Sequence, residues 1–153
     1  MEDMSDIERL LAIEEIKRLK AMRDYCVDTR DWDTYESLHA PDATSQSEGV
    51  AQPWTSVKHM REDIGARLHG VKTAHHSHTP NITFESRDKA NGVWAMEDNL
   101  LWKQGDEEHW LNGFGYYHET YERQDGRWVF KTRRLERLYV RTSPGADLSL
   151  KTI

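Results

Sequence analysis

Three histidines fall within four positions in the stretch KTAHHSHTPNITF, residues 72–84. Imidazole is the side chain whose ordinary pKa lets it gain or lose a proton near neutral pH. One histidine can therefore act as a general base, two can bind a metal ion, or all three can be polar residues at a strand end. The alternation that follows predicts a strand with His78, Ile82 and Phe84 on one face and Pro80 as a local distortion.

A metal site here would need two histidine rings on one face of the strand and a third ligand. His76 lies on the same predicted face as His78, so both rings can reach one ion. The third ligand would have to come from Asp28 or Asp98. The sequence has no zinc motif such as H-E-x-x-H, and its single cysteine, Cys26, excludes cysteine-based zinc sites and disulfide frameworks. We expect no metal and no cofactor, and we assign the role of base to His78.

A carboxylate interrupts an otherwise apolar strand face in VWAMEDNLLW. One face of this predicted strand carries Trp94, Met96, Asp98, Leu100 and Trp102. Burying an unpaired carboxylate is expensive. Asp98 therefore either meets solvent or an arginine at a frayed strand end, or lies in a cavity wall where it serves a ligand or a partner charge.

The elements that position these residues follow from a change in hydrophobic period about half-way along the chain. Before it, apolar residues recur at helical intervals. They predict a helix to about residue 28, a short helix capped by Asp31, and a third helix that begins at Ser56. After it, a period of two and the turn sequences RDKANG and RQDG predict four strands. Helices followed by a mostly antiparallel sheet indicate an α+β fold.

Length and composition limit the class of protein. The chain of 153 residues suits one domain, predicted over 1–153 with a core at about 6–140 and a loose tail at 141–153. A net charge of −6 argues against nucleic-acid binding. No run of apolar residues is long enough to span a membrane, and the acidic N-terminus does not resemble a signal peptide. We expect a cytoplasmic protein without membrane or nucleic-acid partners.

Three stretches together resemble the SnoaL-like families of the nuclear transport factor 2-like superfamily: AIEEIKRLKAMRDYCVDTRDWDTYESLHAPDA, HHSHTPNITFESRDKANGVWAMEDNLLW and YYHETYERQDGRWVFKTRRLERLYV. The resemblance covers about residues 6–140. It implies a cone-shaped, curved, mostly antiparallel sheet wrapped by the N-terminal helices around an apolar pocket. Its members include ketosteroid isomerases, scytalone dehydratase, polyketide cyclases, a dehydrochlorinase and small subunits of ring-hydroxylating dioxygenases.

Within this superfamily the chain most resembles bile-acid 7α-dehydratases, through HTPNIT, WAMEDNLLW and RLYV. The resemblance implies that His78 is the catalytic histidine and that Asp28, at the end of the first helix, orients it. It also implies that Asp98 and Arg137 form a second polar pair in the pocket. The expected reaction is a cofactor-independent dehydration or isomerisation by Asp–His general base catalysis.

The sequence departs from the dehydratase pattern on the first helix. Arg23 occupies the position of the family's tyrosine, and Tyr25 is two residues further on, about 200° around the helix. We expect a small, hydrophobic, oxygenated substrate of steroid, polyketide or aromatic type. Its expected contacts are Arg23, Tyr25, Trp94, Met96, Asp98, Tyr116, Arg137 and His76.

A non-catalytic role is the alternative. The Arg23 replacement and the arginines of KTRRLER favour a ligand-binding protein or a small structural subunit of a ring-hydroxylating dioxygenase. In either case a homodimer or homotrimer is expected, because superfamily members often associate through the open sheet. Tyr117 and Tyr121 are predicted on that outer face, where burial would suit them.

Overall fold

The computed structural model describes residues 4–149, which form three helices and five strands. In chain order these are α1 (Asp6–Thr29), α2 (Trp32–Ser37), β1 (His39–Ser47), α3 (Val57–Arg67), β2 (Lys72–Ser86), β3 (Lys89–Gln104), β4 (Glu107–Gln124) and β5 (Arg127–Thr142). The strands form a curved, open sheet in the order β1-β5-β4-β3-β2. β1 runs parallel to β5, and the other pairings are antiparallel. The predicted α+β fold is confirmed.

Side-chain caps define where the helices begin. Ser5 accepts a hydrogen bond from the backbone N–H of Glu8, and the Glu8 carboxylate accepts one from the backbone N–H of Ser5 at 2.8 Å. Asp31 and Ser56 cap α2 and α3 through their side-chain oxygens. These bonds satisfy backbone donors that have no partner inside the helix. The predicted starts at Asp31 and Ser56 are confirmed.

The fifth strand is β1, which lies outside the four strands that the alternation predicted. This segment is polar and lacks the alternation that marked the other four strands. It becomes a strand because its backbone pairs with β5, from His39 opposite Phe130 to Ser47 opposite Leu135. Pro41 lies within β1 and is tolerated because β1 is an edge strand.

Two apolar clusters fill the interior, and charged side chains lie between them. α1 and β3 both pass from one cluster to the other: Leu19 and Met96 belong to one, Cys26 and Leu100 to the other. Buried charged residues occupy the stretches in between. We term them, with their partners from the other strands, the polar layer: Lys20, Arg23, Asp24, His75, Asp98, Glu119, Arg133 and Arg137.

The burial of side chains on β4 and α1 differs from what their sequence patterns indicate. Tyr117 and Tyr121, predicted on the outer face of the sheet, are each 1% exposed and lie on its inner face. Both faces of β4 carry aromatic residues, so alternation alone did not identify the inner one. On α1 several exposed residues are apolar, with Ile7 72% and Leu10 63% exposed.

The C-terminal segment is not a loose tail throughout. β5 continues to Thr142. Beyond it, Ala146 and Leu148 pack against the apolar cluster that contains Cys26. Residues 150–153 lie outside the described part of the chain. Within residues 4–149, no helix has the length and apolar character needed to cross a membrane.

The ion pair between Lys20 and Glu119 tests how strongly the polar layer is held together. Nζ and Oε1 are 2.5 Å apart, with side-chain exposures of 1% and 0%. Burial lowers the pKa of Lys20, and the charge of Glu119 opposes this. Lys20→Met should lower the free energy of unfolding by about 3–5 kcal/mol, because it leaves the Glu119 carboxylate buried without its cation. Urea titration measures the loss.

Lys17→Met is the matched control, because Lys17 lies on the same helix and its side chain is 44% exposed. We expect it to change stability by less than about 1 kcal/mol. Equal losses in the two variants would contradict a specific role for the buried pair.

Candidate active site

Asp28, in the last turn of α1, accepts three hydrogen bonds from β2. The His75 ring donates from Nδ1 to Oδ1 at 2.6 Å, the backbone N–H of His75 donates to Oδ2 at 2.9 Å, and the Thr73 hydroxyl donates to Oδ1 at 2.8 Å. An ionised carboxylate can only accept, so Nδ1 of His75 carries a proton, and in the neutral ring Nε2 is the acceptor. No residue within 4–149 forms a hydrogen bond with Nε2.

The Asp28 carboxylate stays charged in this setting. Burial alone would raise its pKa, but the hydrogen bonds and charge of His75 outweigh burial, and the pKa of Asp28 is lowered from its usual 3.8. The His75 side chain is 4% exposed. An ionised carboxylate beside a shielded imidazole stabilises the imidazolium that forms when Nε2 accepts a proton.

The structure corrects the predicted arrangement, in which Asp28 pairs with His78. Its partner is His75, whereas His78 is exposed. His76 does not line the interior either: its ring is 55% exposed and lies 2.7 Å from Glu97 on the outer face. Among the described residues, no group of three or more His, Cys, Asp or Glu side chains could hold a metal ion.

A β-bulge explains which histidine faces inward. Ser77 pairs with Met96 and Pro80 with Trp94, so β2 uses one residue more than β3 over this interval. The extra residue reverses the alternation of side chains along β2. Counting by twos from the apolar residues after the bulge therefore selects the wrong histidine, and His75 shares the inner face with Ser77.

A second aspartate, one turn earlier on α1, forms a similar hydrogen bond with β2. Asp24 accepts a hydrogen bond from the Ser77 hydroxyl at 2.6 Å. The two aspartates are four residues apart on the helix, and their partners are two residues apart on the strand. We refer to Asp24, Asp28, Thr73, His75 and Ser77 as the α1–β2 seam.

Asp98 and Arg137 form the polar pair that the resemblance implied. Both guanidinium ends donate to the carboxylate, at 2.7 Å each, and Asp98 is 1% exposed. Burial would raise the pKa of Asp98, but the hydrogen bonds and charge of Arg137 lower it. Asp98 is the cross-strand neighbour of His75, so the pair lies beside the imidazole. Gly113 leaves room for it, since a Cβ there would lie 2.1 Å from Arg137 Nη1 and Asp98 Oδ1.

Arg23 is buried, at 3% exposure, and is held by neutral partners. It donates to Nε2 of His39 at 3.3 Å and to the hydroxyl of Tyr35 at 3.1 Å. The His39 ring donates from Nδ1 to the Tyr35 carbonyl at 2.7 Å, which leaves Nε2 as the acceptor. Burial and the charge of Arg23 lower the pKa of His39 to about 3, so this imidazole stays neutral.

The remaining predicted contacts divide between the interior and the surface. Trp94 and Met96 lie on the inner face, 4% and 3% exposed. Tyr25 and Tyr116 do not face the interior, with 61% and 37% of their surface exposed. Tyr25 is on the solvent side of α1, and Tyr116 is on the outer face of β4.

Sequence reasoning did not select several buried polar residues of the interior. These are Lys20, Asp24, His39, Glu119 and Arg133. The signal that could have found two of them is the helical spacing of Lys20 and Asp24 with the predicted Asp28, which places three charged side chains on one face of α1.

The structure combines a curved open sheet, helices packed on it and an Asp–His pair inside. Known proteins with a similar sequence or fold can now be compared with it. The sequence profile of the SnoaL-like domain matches residues 8–134. The chain belongs to this family.

One sequence relative and two solved structures extend the comparison. The probable cyclase FGR4 of Gibberella zeae is 25% identical over 134 residues, covering 81% of this chain and 89% of that protein. Hexachlorocyclohexane dehydrochlorinase LinA type 2 superposes with a TM-score of 0.82 at 24% identity, covering 93% and 95% of the two chains. A candidate scytalone dehydratase of Novosphingobium aromaticivorans gives 0.79 at 19% identity, covering 90% and 91%. The two structural likenesses show a shared fold.

The lowered pKa of Asp28 predicts a pH-dependent stability difference. A carboxylate whose pKa is lower in the folded state stabilises the fold above its unfolded pKa, and this stabilisation is lost as pH falls through the folded pKa. Asp28→Asn should therefore have a lower free energy of unfolding than wild type at about pH 6. This difference between the two proteins, the stability gap, should shrink below about pH 4. Urea unfolding across this range measures the gap.

Asp106→Asn is the control, because Asp106 is exposed in the β3–β4 turn. Its stability difference from wild type should stay small throughout. A gap for Asp28→Asn that is constant with pH would show that the carboxylate charge contributes nothing to the seam.

Proposed function

We propose that this protein is a cofactor-independent lyase that removes water from a hydrophobic, oxygenated small molecule, with His75 as general base and Asp28 as its orienting partner. The observation that carries the proposal is the 2.6 Å contact between Nδ1 of His75 and Oδ1 of Asp28. It makes Nε2 the acceptor of the neutral ring and compensates the positive charge that proton uptake creates.

The reaction begins at a carbon next to a carbonyl group. His75 Nε2 takes a proton from this carbon, and the C–H electron pair forms an enolate. The enolate then expels a β-hydroxyl group, with formation of the C=C bond and cleavage of the C–O bond. The imidazolium returns its proton to the departing oxygen, so water leaves and His75 is neutral again. Return of the proton to a different carbon instead would give isomerisation.

The developing oxyanion needs a positive or hydrogen-bonding group close to the base. Arg137 is suited to this role, because it is held by Asp98, the cross-strand neighbour of His75. Its guanidinium carries five N–H donors, and Asp98 engages one on each terminal nitrogen. Arg23 is a second candidate donor from the opposite, helical side.

The relatives support this class of reaction. The names of the dehydrochlorinase and the dehydratase candidate denote elimination, and that of the Gibberella zeae relative denotes ring closure. The resemblance to bile-acid 7α-dehydratases supports a hydroxylated polycyclic substrate. A small structural subunit of a dioxygenase has no need for a buried imidazole with an available Nε2, so the seam favours the enzyme over that alternative.

Replacement of His75 tests the proposed base. Proton abstraction can be followed without the natural substrate, by NMR detection of deuterium uptake next to the carbonyl in a panel of cyclic β-hydroxy ketones, with enone formation as a second readout. For any ketone that wild type turns over, His75→Ala should reduce the rate by about a hundredfold or more.

His76→Ala is the matched control, because this neighbouring ring is exposed on the outer face. It should retain the wild-type rate. His78→Ala separates the two histidines that have been considered as base. Loss of the rate in His78→Ala with retention in His75→Ala would overturn the assignment and restore the arrangement predicted from the sequence.

We also propose a homodimer or homotrimer formed through the outer face of the sheet. Tyr139 is 54% exposed and stacks on Phe114 with ring centroids 4.7 Å apart, next to the partly exposed Tyr116. Exposed aromatic surface of this kind is typical of an interface. Light scattering after size exclusion should show two or three chains, and Tyr139→Glu should shift the protein toward monomer. A wild-type monomer would contradict the proposal.

A further inference from the structure

A cleft of about 420 Å³ opens beside the seam, between α1 and β2. Its lining combines charged, hydroxyl and ring-bearing residues: Lys17, Lys20, Ala21, Asp24, Ser77, His78, Thr79, Pro80 and Trp94. Lys17 and His78 are exposed, whereas Lys20, Asp24 and Trp94 are buried. The polar groups therefore lie at the inner end of the cleft and at its mouth.

Asp24 has an unused hydrogen-bonding capacity at the inner end. The residue is 7% exposed, and its Oδ2 accepts the Ser77 hydroxyl at 2.6 Å. Its Oδ1 is buried and accepts no hydrogen bond from any residue in the described range 4–149. A buried acceptor without a donor is costly and rare, and such an atom requires an explanation. Because χ2 of aspartate is a soft torsion, a donor seated in the cleft can reach Oδ1 after a small rotation.

The surroundings of Asp24 select the kind of donor. Lys20 and Arg23 both interact electrostatically with Asp24, and Lys17 stands at the mouth. These positive charges disfavour a cationic donor such as an ammonium group. A neutral hydroxyl can donate to Oδ1 without that repulsion. Trp94 and Pro80 provide apolar surface for a ring that carries the hydroxyl.

The position of the cleft relates this hydroxyl to the reacting atoms. Asp24 precedes Asp28 by one helical turn, about 6 Å along α1. Ser77 follows His75 by two residues, roughly 7 Å along β2. A ring held over His75 would thus present a substituent on its far side to Asp24.

We propose that Asp24 and Ser77 form a subsite that recognises a hydroxyl group on a ring-bearing substrate, on the far side of the ring from the carbon that His75 deprotonates. The placement of the substrate rests on the proposed function, whereas hydroxyl binding at Asp24 does not. The substrate class that follows is a cyclic carbonyl compound with one hydroxyl group that leaves and a second that is retained and bound.

Resorcinol and 1,3-dimethoxybenzene test the subsite, because the two rings differ in their hydrogen-bond donors. Binding to wild type is measured by calorimetry, and resorcinol should bind at least about tenfold more tightly than its dimethyl ether. Asp24→Asn keeps the size of the side chain but loses the carboxylate. It should weaken resorcinol binding about tenfold and leave the dimethyl ether unchanged. Glu15→Gln, an exposed carboxylate on α1, should bind both as wild type does.

Each outcome of these measurements either supports or overturns the subsite. Equal binding of the two rings to wild type would overturn the subsite even if Asp24→Asn failed to fold. Unchanged resorcinol binding in Asp24→Asn would overturn it as well. His75→Ala should keep the preference for resorcinol, since the dyad is not part of this contact. If wild type prefers resorcinol but no deuterium uptake depends on His75, the subsite is supported and the proposed function is contradicted. If deuterium uptake depends on His75 but the two rings bind equally, the proposed function is supported and the subsite is contradicted.

Discussion

The burial of charge across the middle of the domain is the constraint on which the rest of the structure depends. Ions removed from water must be compensated by partners inside the protein, because the cost of desolvation is several kcal/mol per charge. Lys20 on α1 finds Glu119 on β4, and Asp98 on β3 finds Arg137 on β5. The Lys20 contact requires α1 to lie over the inner face of the sheet at one height and one rotation, and the Asp98 contact ties β3 to β5. The apolar clusters on either side supply the burial, but they specify that placement less narrowly than the charges do.

Compensation is incomplete at several atoms. Arg133 Nε in the polar layer is buried without a hydrogen-bond partner among the described residues, and two further atoms lie on the α1–β2 seam. Nε2 of His75 has its lone pair available, and Oδ1 of Asp24 is a buried acceptor without a donor among the described residues. Elsewhere in the polar layer the two carboxylates are paired with cations. Chemistry and recognition need groups that the protein itself does not satisfy. The seam is therefore where we place both the base and the hydroxyl subsite.

Fold and reaction are separate conclusions for this family. Structures with TM-scores of 0.82 and 0.79 share the architecture at 24% and 19% identity, a level of similarity that carries no information about substrate. The reaction proposed here depends on a few polar groups inside that architecture. Arg23 illustrates the point, since it donates hydrogen bonds to His39 and Tyr35 and brings a positive charge into the interior. Such a charge suits an oxyanion better than an apolar ring.

Much of the architecture could be predicted from the sequence, because its signals are local. The caps at Asp31 and Ser56 and the switch of period before β2 depend on neighbours a few residues away. Asp28 at the end of α1 was identified by resemblance, and so was the pair of Asp98 with Arg137. The pairing of β1 with β5 could not be predicted, because the two strands lie far apart in the chain.

What only the tertiary structure decided is which side chains face inward. The bulge between Ser77 and Pro80 shifts the register of β2 against β3 by one residue, and a shift of one residue exchanges the two faces of a strand. For this reason the histidine cluster was recognised from the sequence as the chemical centre, whereas the choice of His75 over His78 was not. The sequence by itself determined the three helices, four of the five strands and the residue types that carry chemistry. The packing of α1 against a bulged strand determined which of them meet.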